Sequence, residues 1–228
     1  MKRAYLIVAL AASFARADSL ADVLNRMDQA AAKFRSLTAR VHHIDYTDVL
    51  SDTTEEEGTF KMMKRAKTVV FLGDFRGRDA RQVWMSGNTV RIYYPKANEV
   101  DNFDTRKYTK SADLLLLDGF GTSKADLEKK YDISLGGNET IGTTKTTRID
   151  LKPKSPEAKK LFNVIQLWIP NGGANPIQEK VLSGKENKDY KLFQFSDEKI
   201  LTVADPALPA SDFELKLPQG VKNISPGK

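Results

Sequence analysis

The chain has 228 residues, no cysteine, 36 Lys and Arg against 30 Asp and Glu, and a formal charge of +6. Without cysteine there is no disulfide framework, no thiol catalysis, no cysteine metal site and no lipobox residue to acylate. So small a charge gives little reason to expect a nucleic-acid partner.

The N-terminus reads as an export signal. Lys2 and Arg3 precede an uncharged apolar run from Ala4 to Phe14, and Ala15-Arg16-Ala17 is a small-x-small cleavage pattern. The apolar run is well short of the roughly 20 residues that span a bilayer. Cleavage after Ala17 is expected, leaving one domain over 18–228. That cut removes Lys2, Arg3 and Arg16 and no acid, so the formal charge falls to +3. The remainder is long enough to bury one sizeable β core without covalent staples.

Ser19 to Leu37 comes next. Leu20, Val23, Leu24, Met27, Ala30, Ala31 and Phe34 recur at helical spacing, with Asp18 or Ser19 placed to cap the start. An amphipathic helix of about 16 residues is predicted, and it needs a surface to lie on. The period then changes. Leu37 to Leu50, Gly58 to Lys64 and Thr68 to Leu72 read as strands, with Phe60 and Met62 on one side of the second. Arg81 to Asp104 alternates apolar and polar residues around the turns Ser86-Gly87-Asn88 and Pro95-Lys96-Ala97-Asn98. Val90, Ile92 and Tyr94 face one way, and Thr89, Arg91 and Tyr93 the other. This predicts an antiparallel meander with one apolar face.

Ser111 to Tyr131 breaks the strand pattern. The run Leu114 to Leu117 ends at Asp118-Gly119, Phe120-Gly121 follows, and Thr122 to Tyr131 reads as a short helix with Ser123 and Asp126 as a capping box. Two short helices joined by glycine are predicted. Strands resume at Thr140-Ile141, Thr146–Lys152, Asn163–Ile169, Ile177–Ser183, Tyr190–Phe195 and Lys199–Ala204, and a last strand follows a turn within Pro209–Val221. A sheet of about ten or eleven strands curls. The predicted architecture is mainly β: a curved antiparallel sheet forming an unclosed barrel, with an N-terminal helix and a mid-chain helical lid over its concave face.

Catalytic chemistry is not legible. His42 and His43 are adjacent on a strand, so they point to opposite faces and do not chelate one metal. No serine–histidine–acid spacing stands out. Gly119 to Lys124 lacks Walker spacing and a βαβ setting. Glu55-Glu56-Glu57 reads as a solvated loop charge run. A binding or carrier role is therefore expected, with no catalytic residue, metal or cofactor.

Four segments resemble one family in order. Phe34, Ser36, Leu37 and Ala39 match an F-x-S-L-x-A entry to strand one. Gly58 to Arg65 looks like its G-x-F strand. Gly87, Ile92, Tyr94, Pro95, Glu99 and Val100 match its turn-and-strand-end pattern, and Phe213, Leu215, Pro218, Gly220 and Val221 are similar to its ending. The family is that of the bacterial outer-membrane lipoprotein carriers, the LolA type. The resemblance implies a periplasmic, monomeric half-barrel with a hydrophobic cavity. It implies acylated lipoproteins or other lipids as cargo, an inner-membrane lipoprotein transporter as donor and an outer-membrane acceptor. It also implies a lid-latching arginine, whose matching position is Arg65, followed here by Ala66 in place of the family's proline. Phe60, Met62, Val90, Ile92, Leu167 and Ile169 are the expected concave lining, covered by Leu114, Leu116, Leu117 and Phe120. A lipid-binding, sensing or interaction module of the same fold, with a non-lipoprotein ligand, is the alternative.

Overall fold

The computed structural model describes residues 18–65, 68–104 and 118–225. The expected export signal and the Leu114–Leu117 run lie outside them. In chain order the elements are α1 (Leu20–Lys33), β1 (Phe34–Thr47), β2 (Asp52–Arg65), β3 (Thr68–Arg76), β4 (Arg81–Ser86), β5 (Thr89–Tyr94) and β6 (Glu99–Asp104). After the undescribed stretch come α2 (Lys124–Lys130), β7 (Tyr131–Ile141), β8 (Thr144–Pro153), the short α3 (Pro156–Lys159), β9 (Val164–Pro170), β10 (Gln178–Ser183), β11 (Asp189–Thr202) and β12 (Lys222–Ile224). Among the described residues no helix is long and apolar enough to cross a membrane.

The strands form one 12-stranded sheet in the order β12-β6-β5-β4-β3-β2-β1-β11-β10-β9-β8-β7. It is curved but not closed, because its outermost strands, β7 and β12, do not pair with each other. β11 returns beside β1 and so joins two meanders into a continuous wall. Every ladder is antiparallel except β12, which runs parallel to β6. The sequence placed the last strand earlier. The expected turn is there, as the 3-10 segment Ala210–Phe213, but residues 214–221 form no strand and the last one starts only at Lys222. Phe213 tucks into the convex side against Met63 and Val70, and its carbonyl accepts from Trp84 Nε1 at 2.8 Å.

Three further elements differ from expectation. The N-terminal helix stops at Lys33, because Phe34 takes extended φ/ψ and enters β1, which pairs on both sides. Phe34 stays buried, so the apolar stripe passes from helix to strand without a loop. Tyr131–Ile141 forms a full strand, whereas the sequence predicts only its end, Thr140-Ile141. Gly136-Gly137 hides the alternation, and there the ladder is bulged, with Gly137 at φ +111. A bulge on an outermost strand also blunts edge-to-edge pairing. β11 runs through what read as two strands. The register with β1 shifts between Thr38 and Arg40, and Asp197 takes φ +53, so a bulge stands where a break was expected.

The concave face carries the main core, which includes Leu37, Val41, Phe60, Met62, Phe71, Val83, Ile92, Phe193 and Leu167. α1 lies on it through Val23, Leu24, Met27 and Ala31. Ser19 and Asp22 form a capping box at its start. Arg26 ties it down, with Nε donating to the Gly173 carbonyl at 2.7 Å and both NH groups to Asp18.

Candidate functional site

Of the predicted lining and lid residues, Phe60, Met62, Val90, Ile92, Leu167, Ile169 and Phe120 are all buried in the one concave cluster. They come from β2, β5, β9 and the loop before α2, so only the curvature of the sheet brings them together. Phe120 sits over Phe60 and Phe195, with ring centroids 6.2 and 5.1 Å away, and Phe60 also stacks on Phe71 at 5.7 Å. Leu114, Leu116 and Leu117 lie outside the described residues. Arg65 is exposed at the end of β2, where its carbonyl accepts from the Thr68 hydroxyl at 3.2 Å.

The Phe120 loop is held in place by α1 and α2. Ser123 caps α2 by accepting from Asp126 N at 3.1 Å, which is one half of the predicted capping box; in place of the return bond from the Ser123 amide, its hydroxyl donates to the Asp126 carboxylate at 2.7 Å. The first amide of α2, Lys124 N, donates to Asp28 of α1 at 2.9 Å. Gly121 adopts φ +64, and a Cβ there would lie 2.6 Å from the Phe34 ring. Only glycine brings this loop down onto β1.

The concave wall also holds charge. Glu55-Glu56-Glu57 is not a loop but part of β2, and Glu56 turns inward. It accepts from Arg81 NH1 and NH2 at 2.6 and 2.8 Å and lies 2.7 Å from His43 Nδ1. His43 is buried and stacks on Phe193 at 4.3 Å, while His42 points to the other face beside Glu55 and Gln194. Burial opposes the charge on Glu56, yet the hydrogen bonds from His43 and Arg81 prevail and hold its carboxyl down from 4.5 to about 2. Its stabilising effect is therefore complete above pH 4.5 and is lost as pH falls through 2. Glu56→Gln is expected to cost about 1.5–3 kcal/mol at pH 7. Urea denaturation should show that cost shrinking toward pH 2, and an equal cost at pH 7 and pH 2.5 would contradict it.

Glu179 on β10 is the residue sequence reasoning missed. It is fully buried, and neither carboxyl oxygen has a hydrogen-bond partner among the described residues. Its cross-strand neighbours are Leu167 and Phe193. Burial, then the nearby Asp118 carboxylate, push its pKa well up. Asp118 in turn accepts from the Tyr131 hydroxyl and from Lys130 Nζ at 2.7 Å. The signal was present: in Ile177-Gln178-Glu179-Lys180-Val181 the acid occupies the apolar phase of a strand. Among the described residues no group of three or more metal-ligating side chains converges.

Twelve strands curved around one apolar face, open between β7 and β12 and covered by α1, define an open half-barrel. No protein-family model matches the chain, and no curated protein matches it in sequence. Solved structures match its fold. An uncharacterised conserved protein from Thermus thermophilus superposes with a TM-score of 0.55 at 10% identity, over 90% of this chain and 98% of that one. MucB superposes with a TM-score of 0.50 at 12% identity, over 86% of this chain and 62% of that one, so this chain spans less than two thirds of MucB. A LolA superfamily protein from Nitrosomonas europaea gives 0.42 at 12% identity, over 87% and 99%. For the first two, at such identities, the likeness is one of fold alone, and the third superposition carries no argument.

Proposed function

We propose that this protein is a periplasmic carrier that takes acyl chains of lipoproteins, or other lipids, against the concave face and moves them between inner and outer membranes. The observation that carries this reading is the apolar concave wall of an unclosed sheet, covered by separate elements (α1 and the Phe120 loop) rather than by a second sheet. Such a cover can part from the wall without breaking a strand ladder. Transfer from bilayer to protein exchanges one apolar surrounding for another. The roughly 0.8 kcal/mol per CH₂ that anchors a chain against water is therefore largely conserved in the exchange. Near-zero net affinity lets the same surface load and release.

A transporter on the inner membrane and an acceptor on the outer membrane complete the route in this reading, with the mature chain working as a monomer over 18–228. The test is extraction of a diacylated lipopeptide from vesicles by the purified protein. Wild type is expected to leave the vesicles with lipopeptide bound, and Ile92→Asp is expected to abolish extraction while the variant remains folded by circular dichroism. Wild-type protein that extracts nothing overturns the reading.

A further inference from the structure

Beside Asp118, between α2, α3 and the start of β7, the surface opens into a cavity of about 670 Å³. That falls within the roughly 300–1,000 Å³ of small-molecule sites. Its apolar wall is Tyr131, Ala158, Leu161 and Phe162, which are part of the main concave core or packed against it. The cavity therefore abuts the interior of the half-barrel. Lys129, Lys130 and Lys154 also line it.

The acids of the cavity are already engaged. Asp118 accepts from Lys130 and Tyr131, and Asp126 accepts from the Ser123 hydroxyl. Lys154 donates to the Glu128 carbonyl at 2.6 Å and lies 3.6 Å from Asp132, both near the surface. The ammonium of Lys129 has no partner among the described residues. The arrangement thus pairs an apolar wall with an uncommitted cation.

We propose that this cavity binds an anionic amphiphile, with the carboxylate or phosphate head at Lys129 and Lys154 and the chain running over Tyr131, Leu161 and Phe162 toward the core. A carboxylate or phosphate there gains charge-assisted hydrogen bonds from lysines already at the rim. A neutral head of the same size gains none. This deepens the carrier reading and rests on it, since it names the charge of the head and the end of the half-barrel where it sits.

The test uses 11-(dansylamino)undecanoic acid and its methyl ester, followed by dansyl fluorescence with the mature protein. The acid is expected to bind at one equivalent and at least tenfold more tightly than the ester. Lys129→Glu with Lys154→Glu should remove that preference, and Ala158→Trp should block both probes. The two lysines are at the surface, so their double variant folds even if the tryptophan variant does not. Displacement by laurate identifies a free fatty acid and displacement by lysophosphatidylglycerol a glycerophospholipid. Displacement by neither, or equal binding of acid and ester unaffected by the lysine changes, overturns the proposal. Ile92→Asp separates the two readings. If it abolishes lipopeptide extraction while probe binding ignores Lys129, Lys154 and Ala158, the carrier stands and this site falls. If wild type extracts nothing yet binds the acid through the lysines, the carrier reading falls alone.

Discussion

Glu179→Leu is expected to stabilise the protein by about 1–3 kcal/mol at pH 7, the cost of a buried polar group left without a partner. The side chain is fully enclosed, its two oxygens have no hydrogen-bond partner among the described residues, and the residues opposite it are Leu167 and Phe193. Leucine is close to glutamate in volume and needs no partner, so it removes the penalty without opening a large void. The pH dependence follows from the sign of the shift. In the unfolded chain this carboxyl ionises near 4.5, and in the folded chain burial and Asp118 raise that value. Between the two values the folded state holds a proton that the unfolded state has lost. The folded state is therefore favoured fully below pH 4.5, and the advantage declines as pH rises toward the folded value. Urea denaturation of wild type and Glu179→Leu from pH 4 to pH 8 measures this. The gain from leucine should grow with pH, and a leucine variant less stable than wild type at pH 8 would sink the account.

Phe60→Ala is expected to cost about 3–5 kcal/mol. The ring is buried between Phe71, Phe120 and Phe195, drawn from β3, the loop before α2 and β11, so the void it leaves is walled by three separate elements that do not collapse together. An apolar void of this kind stays dry and accepts apolar ligands. If the concave face receives acyl chains, laurate should restore part of the lost stability, by about 2.7 kcal/mol at 100 times its dissociation constant. Thermal melts with and without laurate give the answer. A cost below 1 kcal/mol would mean that the ring is not packed as described. A full cost with no response to laurate would count against acyl chains on this face.

The two residues differ in how readable they were. Phe60 lies on a strand with clean alternation, and its inward direction follows from a period of two. Glu179 lies in an equally clean alternation, but composition suggests that an acid faces water, and only the ladder on both sides of β10 shows that it cannot. Glu56 repeats the lesson. Three consecutive glutamates look solvated until β1 pairs with them, and then the middle one turns inward to meet His43 and Arg81. The cavity by α2 and α3 had no local signal, because Lys129, Tyr131, Lys154 and Phe162 share no periodic pattern.

Read alone, the residues specify the architecture of the sheet. Alternation, turn residues and the capped amphipathic helix each act over a few neighbouring residues, and together they define a curling antiparallel wall with something apolar laid upon it. Contacts between distant parts of the chain settle the rest: that β11 returns to β1, that the chain's end comes back beside β6, and which charges are enclosed. An inward carboxylate or a half-enclosed lysine is set by whatever the fold brings opposite it, and that is not written in the residues on either side.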